Sequence, residues 1–502
     1  MNLIEIATWG GAAAGTVVVY EALRWLVVSR VRRRLRDSTK DFIRRHGVRL
    51  DRFKLTRRSF MKAELLSDPV IATAIAERAA ETGESMAVLR ANVEDWINEI
   101  VPAFNVLSYY KVGYNAARAA MNLVYEVVLD DEGLVRLRES LPDDAVVVYL
   151  MNHRSNADYV LVAYMLARQI AVAFAVGEWA RVWPLDVLFR SFGSYFVRRG
   201  FRDQLYHTVL RRYVQLTCRF GITQGVFPEG GLSRDGALRP PKIGLLDYIV
   251  RIKAEGLESD VLFVPVGINF DRVLEDRVLI GEAKDARPPG LLDKAKGLVV
   301  FSVRFPAVIC VNLVRVLTGR VKRHGYATAA FGAPVSLNAW LEENPDLFEL
   351  NREDRKARVG KLAERVMEAI AAVIPATPVP VVALAAAELG EEFSRADLVR
   401  SVRGVRERLR AGGVPLVTGR GFEATRTTRE RLEEERANRA SDLLEFEDEM
   451  TASDEAEETV AVALELLQRR KVVTASRDRL RLRVRDPEVL AYYARSISHL
   501  AR

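Results

Sequence analysis

The sequence is poor in the residues that build metal sites and disulfide frameworks. It has two cysteines, Cys218 and Cys310, without CxxC spacing, and five histidines scattered along 502 residues. These counts argue against a disulfide framework and against a structural zinc or histidine-rich metal site, and they favour a reducing compartment. No Gly-x-Ser-x-Gly motif is present, which argues against a serine-nucleophile elbow.

Long apolar runs are also scarce. Residues 6–20 are apolar, but Glu5 and Glu21 bracket the run, which leaves it short for a full membrane span. No basic region precedes it as in a signal peptide, and the arginine cluster at 30–36 is typical of a cytoplasmic membrane face. We interpret residues 1–36 as a membrane-contacting segment that spans the bilayer or lies flat. The alternative is a buried core helix with a solvated basic end.

The overall composition favours a folded protein with anionic partners. Hydrophobic residues make up 49% of the chain, which supports a sizeable core and argues against wholesale disorder. The net charge of +8 favours nucleic acid, phosphorylated small molecules or an anionic membrane surface. The basic residues alternate with acidic ones and no nucleic-acid-binding motif is recognisable, so we expect no nucleic-acid partner.

The pattern of apolar residues changes near residue 140. Residues 37–140 have helical spacing and predict a helical N-terminal domain. From 141 to 378, β-rich runs alternate with helical stretches, which predicts an α/β domain with a mostly parallel sheet. Residues 379–502 predict a charged, mostly helical C-terminal domain. The predicted strands are 145–151, 171–177, 194–198, 222–227, 261–268 and 326–331. The predicted helical stretches are 159–170, 202–217, 242–255 and 340–375.

Residues 281–323 interrupt this alternation. Arg304, Asn312 and Arg315 share one helical face and the remainder is apolar, which is typical of an amphipathic helix in a membrane interface. The basic residues of 320–323 suit lipid head groups. We expect a membrane insertion on the cytoplasmic side of the cell inner membrane; the alternative is an ordinary helix packed on the sheet.

A polar run that contains His153 and Asp158 directly follows the first predicted strand. Ligands of open α/β sheets bind at the carboxyl ends of strands. The five-residue offset brings the two side chains together if a helix starts between them, and Ser155 as N-cap of a capping box supplies that start. Asp158 then fixes the tautomer of His153, which becomes a general base for a hydroxyl group. The alternative is that Asp158 simply caps the helix.

Two further segments suit a phosphate group. Arg198 and Arg199 follow a strand and are able to bind phosphate in bidentate fashion, or they form a solvated strand end. Gly230 and Gly231 let the backbone approach a ligand closely, or they form a plain turn. The polar residues that follow or flank these glycines are Glu229, Ser233, Arg234 and Lys242.

Four blocks together resemble the glycerolipid acyltransferase superfamily, in particular its glycerol-3-phosphate acyltransferase branch. The blocks are His153-x4-Asp158, Gly193–Arg199, Phe227–Arg234 and Val264–Val266, and segments 331–337 and 490–500 resemble later parts of the branch. One departure concerns Leu232, which stands where many branch members have an arginine thought to help hold the acceptor phosphate.

The resemblance implies an acyltransferase-type sheet with flanking helices, and a reaction. An acyl group would pass from acyl-CoA or acyl carrier protein to the sn-1 hydroxyl of glycerol 3-phosphate, giving lysophosphatidic acid. His153 would be the base, oriented by Asp158, with no cofactor and no metal; membrane phospholipids would be further partners. Leu232 leaves lysophosphatidic acid or dihydroxyacetone phosphate open as acceptor, and a non-catalytic lipid-binding protein remains the other alternative. The implied substrate-binding residues are Arg154, Arg198, Arg199, Glu229, Gly230, Gly231, Ser233, Arg234 and Lys242.

Overall fold

The computed structural model describes most of the chain between residues 58 and 501. The described residues are 58–102, 114–166, 173–177, 193–198, 200–284, 307–308, 311–312, 314–315, 322–418, 421–422, 444–476 and 481–501. The predicted membrane-contacting segment 1–36, Arg199 and most of the predicted insertion 281–323 lie outside these residues. Their predicted roles therefore stay predictions.

Fifteen α-helices and thirteen strands are described, and their bounds are as follows. The helices are α1 (Arg58–Leu66), α2 (Pro69–Thr82), α3 (Met86–Ile100), α4 (Tyr114–Val124), α5 (Asp131–Ser140), α6 (Asp158–Leu166), α7 (Gln204–Arg219), α8 (Gly244–Val250), α9 (Asp276–Lys284), α10 (Leu337–Glu342), α11 (Arg352–Ala372), α12 (Pro378–Leu389), α13 (Arg395–Ala411), α14 (Leu444–Arg469) and α15 (Pro487–Arg495). The strands are β1 (Glu126–Leu129), β2 (Val146–Met151), β3 (Ala173–Gly177), β4 (Tyr195–Val197), β5 (Gln224–Val226), β6 (Val261–Phe270), β7 (Tyr326–Phe331), β8 (Val335–Ser336), β9 (Glu392–Ser394), β10 (Val417–Thr418), β11 (Gly421–Phe422), β12 (Val473–Ala475) and β13 (Arg481–Val484).

The main sheet has the strand order β1-β7-β6-β2-β5-β3-β4, with β8 paired to β6. Strand β2 pairs in parallel with both β5 and β6, and β3 pairs in parallel with β5 and β4. Strand β7 runs antiparallel to β6 and parallel to β1. All residues of β2 and β6 are buried, as expected for central strands covered on both faces. The structure therefore confirms the predicted α/β fold with a mostly parallel sheet.

Helices cover both faces of this sheet. Because side chains alternate along a strand, Val146, Val148 and Leu150 join one core with α1–α3, α7, α8, α10 and α11. Tyr149 and Met151 join the opposite core with α4–α6 and α12–α15. Residues on both sides of the predicted 378/379 boundary thus share one hydrophobic core.

One local prediction is wrong, and one is confirmed with a break. Strand β1 lies within the stretch 37–140 that was predicted to be helical, and it pairs with β7 in register Glu126 to Tyr326. This strand has four residues and carries little periodic signal of its own, so tertiary pairing decides its conformation. The stretch 340–375, predicted to be helical, consists mainly of α10 and α11, which a turn that contains Pro345 separates.

Within the described part of the chain, no helix has the length and hydropathy needed to cross a membrane.

Candidate active site

The polar loop after β2 is fixed to the neighbouring strand β6. The Asn152 side chain accepts a hydrogen bond from the backbone N–H of Ile268 at 2.7 Å and donates one to its carbonyl oxygen at 2.9 Å. Both groups are buried, where an unpaired amide is costly. The chain therefore leaves the sheet at a defined point, and His153 is the next residue.

His153 and Asp158 form a buried hydrogen-bonded pair. The His153 Nδ1 atom lies 2.8 Å from the Asp158 Oδ2 atom, and the two side chains are 1% and 0% exposed. The imidazole stacks on the ring of Phe227 at 4.1 Å and meets Tyr159 edge-on at 5.4 Å. A carboxylate at Nδ1 holds the tautomer in which Nε2 is the basic nitrogen. The predicted pairing of these two side chains is therefore present.

Asp158 also organises the backbone of the loop. Its Oδ2 atom accepts hydrogen bonds from the backbone N–H groups of Arg154 at 2.7 Å and Ser155 at 3.0 Å. Burial raises the pKa of Asp158 to about 8, against the opposing effects of these two amides and of the Arg154 charge. The two amides and the Arg154 charge therefore favour the ionised carboxylate, which burial alone disfavours.

The predicted capping box is only half formed. Asp158 accepts from the Ser155 amide as such a box requires, but the Ser155 hydroxyl oxygen accepts from the amide of Ala157 at 3.1 Å. Helix α6 begins at Asp158 itself. The hydroxyl of Ser155 donates instead to Glu275 at 3.1 Å, a buried carboxylate outside the loop. Capping by Ser155 is therefore not what brings the dyad together.

Both carboxylate oxygens of Glu229, a predicted substrate-binding residue, accept hydrogen bonds from the protein, and its role toward substrate stays a prediction. One of its carboxylate oxygens accepts from the His153 amide at 2.8 Å and the other from the Arg239 amide at 2.9 Å. The side chain is 1% exposed, and burial raises its pKa to about 7. Both oxygens are used within the protein. Glu229 therefore holds the polar loop after β2 (residues 152–157, called the catalytic loop below) against the second loop, residues 227–242 after β5.

The remaining motif residues of 230–242 also build this second loop. The Ser233 amide donates to the His153 carbonyl oxygen at 2.9 Å, and its hydroxyl donates to the carbonyl oxygen of Ala237 at 2.6 Å. Gly230 has a φ of +64°, and a Cβ there would lie 2.6 Å from the Lys242 side chain. Gly231 is buried in the same turn. These residues hold the loop shape, and Lys242 lies directly against it.

Two of the predicted arginines, Arg198 and Arg234, bind carboxylates of the protein. The Arg198 guanidinium binds Glu99 at 2.6 and 3.0 Å and stacks over Phe201. Arg198 follows β4, which is three strands from β2, or about 14 Å at the usual strand spacing. Arg234 forms an ion pair with Glu282 at 3.2 Å.

Arg154, by contrast, is part of the loop. The residue is 3% exposed; its guanidinium donates to the Gly236 carbonyl oxygen and lies 5.5 Å from the ring centre of Tyr492. Its Nε and Nη2 atoms have no hydrogen-bond partner among the described residues. A buried cation with unused donors beside the dyad is suited to an anionic ligand.

Sequence reasoning missed Glu275, which supports the loop from below. It accepts from the Ser155 hydroxyl and, at 2.7 Å, from the Asn156 amide, and burial raises its pKa to about 7. The polar end of β6 was the available signal, since Glu275 follows that strand. Among the described residues no three metal-ligating side chains converge on one point, and Asp158, Glu229 and Glu275 each bind protein donors.

Two family models match the chain. One, described as Acyltransferase, matches residues 134–269, and the other, described as Glycerol-3-phosphate acyltransferase C-terminal region, matches residues 311–430. The first span contains the His153–Asp158 pair and the loop after β5.

Curated relatives carry the name glycerol-3-phosphate acyltransferase. The protein from Aeromonas hydrophila is 30% identical over 346 residues, covering 67% of this chain and 40% of the relative. That from Alteromonas mediterranea is 28% identical over 327 residues, covering 63% and 38%. That from Actinobacillus succinogenes is 28% identical over 321 residues, covering 62% and 36%. The matched part of the chain thus spans about two fifths of the length of these relatives.

A solved structure, that of the 1-acyl-sn-glycerophosphate acyltransferase of Thermotoga maritima, also matches. It is 17% identical and aligns over 62% of this chain and 95% of its own, with a TM-score of 0.30. At that score the comparison carries no argument about the fold, which rests on the strand order and register.

Proposed function

We propose that this chain, which carries an acyltransferase family domain at 134–269 and a glycerol-3-phosphate acyltransferase C-terminal region at 311–430, acylates the sn-1 hydroxyl of glycerol 3-phosphate. The observation that carries the proposal is the buried His153–Asp158 pair at the carboxyl end of β2, with Nδ1 and Oδ2 2.8 Å apart. The pair lies within the matched acyltransferase domain. The relatives of the chain that are named glycerol-3-phosphate acyltransferase support glycerol 3-phosphate as the acceptor.

The proposed reaction needs one base and one thioester. The Nε2 atom of His153 takes the proton of the acceptor hydroxyl as that oxygen attacks the thioester carbonyl carbon. The carbon–sulfur bond breaks, the thiolate leaves, and the proton passes from His153 to the thiolate sulfur. Asp158 stabilises the imidazolium that exists between these steps. The products are 1-acyl-glycerol 3-phosphate, which is lysophosphatidic acid, and the free thiol.

Arg154 is the residue we assign first to the acceptor phosphate. Two of its guanidinium nitrogens have no partner among the described residues, and its backbone is held by Asp158. A phosphate accepts from a guanidinium through two parallel hydrogen bonds. Arg198 and Arg234 already bind Glu99 and Glu282, so their use would first require breaking an ion pair.

The acyl donor and the cellular location are further parts of the proposal. A long-chain thioester of coenzyme A or of acyl carrier protein is the donor, because both present the same carbonyl to His153. Residues 1–36 and 281–323 would contact the cytoplasmic side of the inner membrane, which would shorten the path of a long-chain donor and product. Their apolar and basic sequence supports this.

The test is an acyl-transfer assay with the full chain. Glycerol 3-phosphate is supplied with palmitoyl-CoA or palmitoyl acyl carrier protein, and products are resolved by mass spectrometry. His153→Ala is expected to lower kcat by roughly two to four orders of magnitude, because a general base contributes about that much. His499→Ala removes an imidazole bonded to the Ala371 carbonyl and serves as the matched control.

Two outcomes would contradict the proposal. Near-normal turnover by a folded His153→Ala protein would remove the base from the mechanism. Absence of a glycerol 3-phosphate product with either donor would favour the non-catalytic alternative, provided that free thiol is also not released.

Leu232 supports a second candidate acceptor. Its side chain packs against the core, so no cation stands at that position of the loop. A competition assay in which lysophosphatidic acid and dihydroxyacetone phosphate are offered beside glycerol 3-phosphate decides between the acceptors. A higher kcat/KM for either competitor would replace glycerol 3-phosphate in the proposal.

A further inference from the structure

Arg239 lies on the second loop, after β5, and the Glu229 carboxylate links its backbone to the catalytic loop. The two oxygens of Glu229 accept from the amides of His153 at 2.8 Å and Arg239 at 2.9 Å. A single buried side chain therefore fixes the backbone of Arg239 relative to that of His153. The Arg239 side chain therefore extends from a backbone position that this hydrogen bond fixes.

The guanidinium of Arg239 folds back onto Leu232. Its Nη1 atom donates to the Leu232 carbonyl oxygen at 3.2 Å, and the side chain is partly exposed. The Leu232 side chain packs against the core. Leu232 thus supplies an apolar side chain and a carbonyl oxygen. The positive charge near this position is that of Arg239, seven residues downstream.

Charge pairing separates Arg239 from Arg198 and Arg234. Arg198 binds Glu99 and Arg234 binds Glu282, each at ion-pair distance. Arg239 has no carboxylate within ion-pair distance among the described residues, since its contact is a neutral carbonyl. Binding an anion at Arg239 therefore costs no ion pair.

We propose that Arg239 binds the phosphate of the acceptor, in place of the cation that position 232 does not provide, and that it does so together with Arg154. The inference rests on the proposed function and names the residue that decides acceptor specificity. The charges of both guanidinium groups, one on the catalytic loop and one on the second loop, lower the pKa of the same carboxyl group, Glu229. A phosphate monoester between them would place its glycerol hydroxyls toward His153.

The expected effect is on acceptor binding rather than on the chemical step. A hydrogen bond to a charged group contributes enough that Arg239→Leu should raise the Kd and KM for glycerol 3-phosphate roughly 10- to 100-fold. The kcat at saturating acceptor should change little. The backbone amide of residue 239 still reaches Glu229 in this variant, so the loop is expected to keep its conformation.

The test measures binding and turnover in parallel on the full chain. Glycerol 3-phosphate and uncharged glycerol are titrated calorimetrically into the wild type, Arg239→Leu and the double variant Leu232→Arg/Arg239→Leu. Arg58→Leu is the matched control, because Arg58 also donates to backbone carbonyls, those of Val101 and Asn98. We expect weaker glycerol 3-phosphate binding in Arg239→Leu, recovery in the double variant, and no change in the control.

The outcomes separate this inference from the proposed function. Unchanged glycerol 3-phosphate affinity in a folded Arg239→Leu protein would overturn the role of Arg239. An equal loss of affinity for glycerol would overturn it too, because glycerol carries no phosphate. If the wild type binds glycerol 3-phosphate through Arg239 but transfers no acyl group, the phosphate site stands and the proposed function fails.

Discussion

Three buried carboxylates surround one histidine, and each binds a different part of its loop. Asp158 binds the imidazole and two amides, Glu229 binds the amide of His153, and Glu275 binds Ser155 and Asn156. Burying a carboxylate is unfavourable unless donors surround it. These three buried carboxylates therefore fix the conformation of the loop, and the hydrogen bonds that the loop donates to them offset their loss of hydration.

The first prediction concerns Asp158 alone. In Asp158→Asn the amide is unable to hold the same tautomer of His153 and presents N–H groups where the loop amides now donate. We expect kcat/KM to fall by roughly three to four orders of magnitude, as for loss of the orienting carboxylate in a serine-protease triad. Initial rates with glycerol 3-phosphate measure this.

A direct comparison identifies the cause. His153→Ala and the double variant should be nearly as inactive as Asp158→Asn, because residues that act as one unit lose activity non-additively. Losses that multiply in the double variant would mean that Asp158 does not act through His153.

The sequence predicts the dyad but not its supports. His153 and Asp158 are five residues apart on one loop, so a local pattern sufficed. Glu275 bonds to Ser155 from 120 residues away, and no local spacing encodes that contact. The contacts of Glu229 were not predicted for the same reason, since its partners are backbone amides of distant segments.

Among the elements, helix α15 contacts the site by two routes. The Tyr492 ring lies under the guanidinium of Arg154. The hydroxyl of Tyr493 donates to Asp276 at 2.5 Å, and Asp276 neighbours Glu275 in the chain. Helix α15 therefore contacts Arg154 directly and Glu275 through its chain neighbour Asp276.

The second prediction tests the closeness of that packing. Gly236 has a φ of +93°, and a Cβ on it would lie 1.9 Å from the Tyr492 carbonyl oxygen, which is backbone. We expect Gly236→Ala to push α15 away from the loop, lower the melting temperature and reduce acyl transfer. Differential scanning calorimetry and initial rates are the measurements.

Gly83→Ala is the matched control for this substitution. Gly83 also has a positive φ, of +72°, but nothing lies within 4 Å of its Cβ position. It should lose only about 1 kcal/mol, the usual cost of a left-handed conformation for alanine. Equal losses in the two variants would show that backbone strain, not the contact with α15, explains the effect.

Element prediction succeeded where periodicity was strong. Strand β2 and helix α7 lie within two residues of the limits predicted from their apolar patterns. Strand β1 was missed because four residues carry too little pattern and its partner β7 is about 200 residues away. The packing of α15 on the site was equally invisible, since tertiary contact and not spacing creates it.

At the scale of the whole molecule, burial of charge makes stability depend on pH. Glu229 and Glu275 are both in the interior, on either side of the catalytic loop, and burial raises the pKa of each to about 7. Because the ordinary pKa of glutamate is near 4.5, the folded state holds these protons more tightly than the unfolded state does. Their contribution is complete at pH below about 4.5 and is lost as pH rises through about 7.

The last prediction follows from that sign. Glutamine has no proton to lose, so Glu275→Gln removes one such contribution while its amide still meets the Ser155 hydroxyl and the Asn156 amide. Between about pH 5 and pH 8, the wild type should lose stability more steeply than the variant, by on the order of 2 to 3 kcal/mol across the range.

Melting temperatures at half-unit pH intervals give both slopes. Glu64→Gln, at an exposed carboxylate on α1, is the control and should follow the wild type. Because any change in hydrogen bonding shifts the whole curve by a constant amount, the slope alone decides, and parallel curves for Glu275→Gln and the wild type would show that Glu275 does not take up a proton in this range.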